Sequence, residues 1–272
     1  MEFTEVNGTS IAYRQQGDGE PVLLLHPGFV ADGMQPLLTE PALSGFRLIA
    51  YHRAGYGDSD RVSGPVPMSR QAEDALDLLD TLAVDRVHLV GCSFGADVAL
   101  QLALSAPQRV GCLVLLEPLL GFALSPLSAA SIGETAQAAV PRFQQGDAAG
   151  AVETWLTAAF GTGFRDVMER RLPGSWQRAV DDAATTFGVE LSALPDWPVG
   201  PDDLARLRMP TLSVVHTGDS WPGFEEAHAF LLARVPDAEG AELDLSSHLL
   251  QILDPGPVAE VVAAFLHRHP LT

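Results

Sequence analysis

A serine between two glycines is the clearest sign of chemistry in this sequence. Ser93 lies in Gly91-Cys92-Ser93-Phe94-Gly95, after the apolar run 87–90 and before an alanine- and leucine-rich segment. This order predicts a strand, a sharp turn and a helix, which is the setting of a G-x-S-x-G nucleophile elbow. The glycines give room for a tight backbone crossing, and the N-terminus of the helix favours negative charge near the hydroxyl. The pattern therefore favours a nucleophile over a plain glycine-rich turn.

A serine hydroxyl needs a base to take its proton, and a carboxylate must orient that base. His248 fits the base best, because it follows the strand-like run 241–245 and precedes the last helix. A loop after the final strand can reach the carboxyl edge of the sheet, where the elbow also lies. The other candidates lie inside a strand, just past an early strand or at the end of the last helix, and suit this role less: His88, His26, His52, His267 and His269.

The elements that must position these residues alternate along the chain. Helix-like segments are predicted at 70–82, 94–106 and 258–267. The runs rich in valine, leucine and isoleucine are typical of strands buried on both faces of a sheet: 22–25, 47–51, 87–91, 112–116 and 211–215. This alternation predicts an α/β fold with a mainly parallel, doubly wound sheet and right-handed crossovers.

The alternation stops between about residues 120 and 208, where only helical patterns occur. We predict a helical lid over 120–205, inserted into a core made of 1–119 and 206–272. Aromatic residues of such a lid either anchor its helices or roof an apolar pocket. The candidates for substrate binding are Phe122, Trp155, Phe160 and Trp176.

The amino-acid composition limits the kinds of molecule that this protein is expected to bind. The chain has 272 residues with 16 cationic side chains, all arginine, against 35 acidic ones, a formal charge of −19. This charge disfavours nucleic acid and anionic membranes as partners. Cys92 and Cys112 do not form a disulfide framework, and no secretory signal or membrane-spanning run is recognised, so we expect a cytoplasmic protein. Without clustered metal ligands or a nucleotide motif, we expect no metal and no organic cofactor.

These motifs together resemble the α/β-hydrolase fold family from about Val22 to the C-terminus. The resemblance rests on the elbow and on three further stretches: Leu25-His26-Pro27-Gly28-Phe29, Arg53-Ala54-Gly55-Tyr56-Gly57-Asp58-Ser59, and Ser247-His248 before Asp254-Pro255. It implies a serine hydrolase with Ser93 as nucleophile and His248 as base. His52 departs from the pattern, since relatives often carry aspartate there.

The resemblance also implies an oxyanion hole. The loop after the first parallel strand supplies one donor in the family, and Pro27 has no N–H to give. The backbone N–H of Gly28, or next that of Phe29, is therefore the candidate. The second donor would be the N–H of Phe94, directly after the nucleophile.

Two carboxylates compete for the role of triad acid. Asp219 follows the strand 211–215, which matches the usual family placement, although His216 stands where that loop usually has glycine. Glu117 ends the strand 112–116 and precedes a proline, as in zearalenone-type lactonases of fungi. An acid at the carboxyl end of a strand faces the site in either case, while the alternative role for each is a turn carboxylate that caps N–H groups.

The resulting hypothesis is a serine hydrolase that cleaves a carboxylic ester or lactone, with bulky apolar substrates preferred. One alternative is C–C bond hydrolysis, or a cofactor-free perhydrolase or lyase reaction, on the same scaffold. Another is a non-catalytic protein that binds a small molecule in the same pocket. The sequence leaves the oligomeric state open.

Overall fold

An eight-stranded sheet forms the centre of the molecule, in a computed structural model that describes residues 1–218, 221, 223–248 and 250–271. The strand order is β1-β2-β4-β3-β5-β6-β7-β8, with β1–β2 and β2–β4 antiparallel and the remaining neighbours parallel. This confirms the predicted α/β class. The strands are β1 (Glu2–Val6), β2 (Thr9–Gln16), β3 (Glu20–Leu25), β4 (Phe46–Tyr51), β5 (Val87–Cys92), β6 (Val110–Leu116), β7 (Thr211–His216) and β8 (Ala238–Leu243).

Helices cover both faces of this sheet and the carboxyl ends of its strands. None of them, within the described part of the chain, is long and apolar enough to cross a membrane. They are α1 (Met68–Thr81), α2 (Phe94–Ser105), α3 (Pro126–Gln144), α4 (Ala148–Phe160), α5 (Phe164–Arg171), α6 (Ser175–Asp181), α7 (Ala183–Thr185), α8 (Leu191–Ala193), α9 (Gly223–Arg234), α10 (Leu250–Leu253) and α11 (Pro255–Arg268), with a π-helix at Thr186–Glu190.

The sheet is buried on both faces, and β3 shows how the sequence achieves this. Successive side chains of a strand point to opposite faces. Leu23 and Leu25 join the apolar cluster shared with α1 and α2, whereas Val22 and Leu24 join the cluster shared with α11. A run of consecutive apolar residues is therefore what a central parallel strand requires.

Residues 120–205, which we call the cap segment, contain helices from α3 to α8 and no strand. A third apolar cluster lies between these helices and the core, and Phe187 of the cap contacts Phe29 at 5.2 Å between ring centroids. The helical content agrees with the predicted lid, and the division into core and lid stays a prediction.

Several elements differ from the sequence prediction. The antiparallel hairpin of β1 and β2 and the helix α9 were not predicted. The last strand spans Ala238–Leu243 instead of 241–245, because the chain leaves the β7 pairing after Leu243.

Candidate active site

Ser93 lies at the sharp turn between β5 and α2, as the elbow pattern predicted. Its φ of 51° and ψ of −126° are strained for a residue with a side chain, and such strain is typical of functional sites. A Cβ on Gly91 would lie 2.4 Å from the Gly95 carbonyl oxygen, and one on Gly95 would lie 2.4 Å from the His26 carbonyl oxygen. The two glycines are therefore required by the close crossing of strand, turn and helix.

His248 and Glu117 meet although 131 residues separate them. The His248 Nδ1 lies 2.5 Å from Glu117 Oε2, and both side chains are buried. With the carboxylate ionised, Nδ1–H is the donor, so neutral His248 carries its lone pair on Nε2. His248 and Ser93 line the same cavity. This arrangement has the parts that a Ser-His-acid triad needs.

The Glu117 carboxylate is bound on both oxygens. Oε1 accepts the backbone N–H of His216 at 2.8 Å and also the Nδ1 of the His216 ring, while Oε2 accepts His248. Burial by itself would raise the pKa of Glu117, but these hydrogen bonds, first from His216 and then from His248, outweigh it and hold the pKa below its usual value. Glu117 is thus ionised at neutral pH. The rival candidate, Asp219, lies outside the described residues.

Aromatic packing holds the His248 ring. The ring stacks on Phe224 of α9 with 3.9 Å between centroids and lies 5.6 Å from Phe160 of α4. The neighbouring Ser247 hydroxyl donates to the Phe160 carbonyl at 2.9 Å. Phe224 was not predicted as a residue of the site, because helix α9 itself was not predicted.

A small apolar cavity of about 50 Å³ lies over Ser93 and His248. Two residues predicted to bind substrate, Trp155 and Phe160, line it. Among the described residues, the hydroxyl and charged side chains on its wall, apart from Ser93 and His248, are Thr186 and Glu190. Other lining residues from the core and cap are Pro27, Leu119, Leu156, Ala159, Leu191, Leu194, Trp221 and Phe224.

The other two aromatic candidates, Phe122 and Trp176, do not line this cavity, and their part in substrate binding stays a prediction. Phe122 packs against Trp197 and Phe230, at 6.5 and 6.0 Å between ring centroids, on the side of the α2 cluster. Trp176 lies 6.1 Å from Phe164 and under the guanidinium of Arg165, 3.6 Å from its ring centroid. Both are anchors of helices and not part of the cavity wall.

The three candidates for the oxyanion hole line the cavity beside Ser93: Gly28, Phe29 and Phe94. Phe94 begins α2, and the first N–H groups of a helix have no acceptor within the helix. The Pro27 carbonyl accepts the His26 Nδ1–H at 2.7 Å, and it belongs to the same peptide as the Gly28 N–H. Because C=O and N–H of a trans peptide point in opposite directions, this contact fixes where the Gly28 N–H points.

A buried polar cluster joins the cap segment to the core beside this loop. Arg53 forms an ion pair with Glu190 of the π-helix, and the Tyr56 hydroxyl donates to Glu190 at 2.5 Å. Burial raises the pKa of Glu190, and the charge of Arg53 opposes that effect. The Arg53 backbone N–H donates to His26 Nε2 at 3.0 Å, so His26 is a neutral ring, and burial followed by the Arg53 charge lowers its pKa well below the usual value.

The remaining singled-out residues have structural partners. His52 binds Asp32 Oδ1 through Nε2 at 3.0 Å. His88 lies inside β5, 3.3 Å from Glu20. Cys92 and Cys112 are buried thiols, which contact Gln251 Oε1 at 3.5 Å and the His269 carbonyl at 3.6 Å.

The fold and this geometry agree with the comparison with known families. The family described as alpha/beta hydrolase fold matches residues 21–254. The chain therefore belongs to the α/β-hydrolase fold family, and this membership supports a hydrolase that acts on a small molecule.

Similar proteins extend over most of the chain. The dihydrolipoyllysine-residue acetyltransferase component of an acetoin cleaving system from Pseudomonas putida is 28% identical to this chain. The alignment has 277 positions and covers 97% of this chain and 69% of that protein. A thermophilic esterase from Thermogutta terrifontis superposes with a TM-score of 0.84 at 22% identity over 99% of this chain and 100% of that one. An enol-lactonase from Burkholderia xenovorans LB400 gives 0.79 at 21% identity over 98% and 100%. At these identities the two structures establish the fold.

Proposed function

We propose that this protein is a serine hydrolase that cleaves a carboxylic ester or lactone through an acyl-enzyme. The observation that carries the proposal is the contact between the buried Glu117 carboxylate and His248, in a cavity that also exposes the strained Ser93. The similar esterase and enol-lactonase folds agree with this chemistry. Glu117 is the proposed triad acid.

In the first half-reaction, His248 Nε2 takes the Ser93 proton while Ser93 Oγ attacks the substrate carbonyl. Glu117 keeps the Nδ1–H tautomer in place and stabilises the imidazolium that forms. The tetrahedral intermediate collapses, and His248 gives its proton to the leaving alkoxide. Water then attacks the acyl-enzyme with His248 as base, and Ser93 recovers its proton when the acid leaves.

The negative charge of the intermediate needs donors that are already in place. The N–H of Phe94 at the start of α2 and the N–H of Gly28 are the proposed pair, with Phe29 as the next candidate. Phe94 also brings the positive end of the α2 dipole to the oxyanion. Each such donor contributes about 3 kcal/mol to transition-state stabilisation in related chemistry.

The size of the cavity limits the substrate. A cavity of about 50 Å³ is small beside the roughly 300–1,000 Å³ of pockets that enclose drug-sized ligands. We therefore propose a short apolar acyl group rather than the bulky substrate that the aromatic residues of the cap segment suggested. Trp155, Phe160 and Trp221 form the apolar wall for that group.

The first experiment tests the nucleophile. Ser93→Ala and His248→Ala are each expected to lower kcat by about 10³-fold or more and to abolish labelling by a fluorophosphonate. Ser105→Ala is the matched control, since Ser105 is an exposed serine that bonds the Gln101 carbonyl on α2. Ester hydrolysis that survives in Ser93→Ala would overturn the proposal.

The second experiment tests the substrate class. Ester, lactone and vinylogous diketone panels are compared by product analysis, and straight-chain acyl esters of one alcohol are compared from acetate to dodecanoate. We expect ester or lactone cleavage with kcat/KM highest near butyrate. Turnover of the diketone alone would favour the C–C hydrolase, and saturable binding without turnover would favour the binding protein.

A further inference from the structure

We propose that His216 is a positioning residue of the active site, which orients the Glu117 carboxylate so that one oxygen is reserved for His248. The inference rests on the proposed function, because it assigns a role toward the proposed triad acid. It concerns a residue whose role the sequence left open.

The sheet itself places His216 against the carboxylate. The Glu117 N–H donates to the Val214 carbonyl at 3.1 Å, which continues the pairing of β6 with β7. Two residues further along β7, the His216 backbone N–H and ring Nδ1 both bind Glu117 Oε1. The two donors from one residue fix the rotation of the carboxylate, and Oε2 is left facing His248 at 2.5 Å.

The His216 ring has no other polar contact among the described residues. Its Nε2 is buried and without a hydrogen-bond partner. A buried polar atom without a partner costs free energy of folding, and an apolar residue at the end of β7 would avoid that cost. The Nδ1–H donor therefore explains why a histidine occupies this position. In this tautomer the unpaired Nε2 atom is a lone pair, which costs less free energy when buried than an unpaired N–H would.

Among the described residues, the titratable groups that interact electrostatically with Glu117, besides His216 and His248, are Cys92 of β5 and His228 of α9. Neither of them donates to the carboxylate, because Cys92 binds Gln251 and His228 binds Ser213. Burial, followed by the charge of Glu117, raises the pKa of the Cys92 thiol, which therefore stays protonated. Burial lowers the pKa of His228, whose Nδ1 binds the Ser213 hydroxyl at 2.9 Å. Both groups are uncharged at neutral pH.

The test compares His216→Leu, which removes the ring donor, with His216→Asn, whose side-chain N–H can occupy the place of Nδ1–H. For the leucine variant we expect a fall in kcat of about tenfold to hundredfold with KM within about threefold, as for other groups that orient a catalytic residue. The asparagine variant should recover most of kcat.

The pH profile separates positioning from packing. Without the ring donor, negative charge concentrates on Glu117, so the Glu117–His248 pair holds an extra proton more strongly. The acid limb of kcat/KM should therefore move to higher pH in His216→Leu and stay near the wild-type position in His216→Asn. His88→Leu is the control, because His88 is also buried in a strand and paired with a carboxylate. It should lower the melting temperature and leave the limb unchanged.

A readout without substrate covers the case in which His216→Leu fails to fold. The wild-type proton spectrum should contain downfield ring N–H resonances from His216 and His248, beside those of the carboxylate-bound His52 and His88, and His216→Asn should lose the one from His216. A downfield region that His216→Asn leaves unchanged would overturn the inference. So would a folded His216→Leu with the wild-type kcat and acid limb. Failure of the proposed function is recognised separately, by full activity of Ser93→Ala.

Discussion

At the scale of single residues, the Glu117 carboxylate is charged and has no exposed surface, so its substitution has a specific expected effect. Removing the charge in Glu117→Gln leaves the tautomer and the imidazolium of His248 unsupported. We expect kcat to fall by about 10³- to 10⁴-fold, because the equivalent change in a serine protease triad costs about 10⁴. Steady-state kinetics with a short-chain ester, together with a melting curve, measures the effect.

Asp219→Asn provides the comparison, since Asp219 was the rival for the same role and lies outside the described residues. With Glu117 as acid, this variant should stay within about tenfold of the wild type. The reverse asymmetry, a collapsed kcat in Asp219→Asn and a nearly normal one in Glu117→Gln, would transfer the role of acid to Asp219.

Some residues of the site could be predicted from the sequence and others could not, for a physical reason. Ser93 was recognisable because its whole environment, a strand, two glycines and a helix start, is local in the chain. The acid was not, because the contact that distinguishes Glu117 from a turn carboxylate joins residues 131 positions apart. Nor could His216 be assigned a partner, since only the register of β6 and β7 brings it to Glu117.

At the scale of elements, ion pairs of two kinds attach the cap segment to the core. The pair of Arg53 and Glu190 is almost fully buried, with both side chains 2% exposed. The pair of Arg178 on α6 and Asp32 spans 2.8 Å, and Arg178 is 45% exposed. Removing one partner of a buried ion pair leaves an uncompensated charge and lowers the free energy of unfolding strongly. An exposed pair contributes little to that free energy, because water screens its charges.

This contrast predicts the stability of two matched variants. Arg53→Met leaves the Glu190 carboxylate buried without its cation and should lower the free energy of unfolding by about 3–5 kcal/mol. Arg178→Met should cost at most about 1 kcal/mol. Urea denaturation measures both.

The double variant Arg53→Met, Glu190→Met completes the cycle. It should be more stable than the sum of the single changes, by up to about 3 kcal/mol, because the orphaned charge is gone. An Arg53→Met protein as stable as Arg178→Met would show that the buried pair does not hold the cap segment.

The elements that the sequence predicted best are those buried on both faces. Long apolar runs identified β3 to β7 because a central parallel strand has no polar side. The hairpin of β1 and β2 lies at the sheet edge and carries many exposed polar residues, so its runs were missed. The pair Asn7-Gly8 could have indicated its turn. These residues have φ of 50° and 79°, and Asn-Gly is the preferred pair for a turn of this kind.

At the scale of the whole molecule, the formal charge of −19 acts on every charged substrate. A field of this kind repels anions over a distance set by the ionic strength, with a Debye length of about 30 Å at 0.01 M salt and about 8 Å at 0.15 M. The cavity wall carries Glu190, whose charge Arg53 balances locally. The repulsion should therefore come from the molecule as a whole and be removed by salt.

The last prediction compares two esters with the same acyl group, one with a neutral alcohol and one with an alcohol that carries a carboxylate. For the anionic ester, kcat/KM should rise several-fold between 0.01 M and 0.15 M salt, because screening removes the repulsion during encounter. For the neutral ester it should stay constant, which controls for effects of salt on the fold. If salt instead slows the anionic ester, a local cation attracts it, and the assignment of the repulsion to the net charge of −19 is wrong.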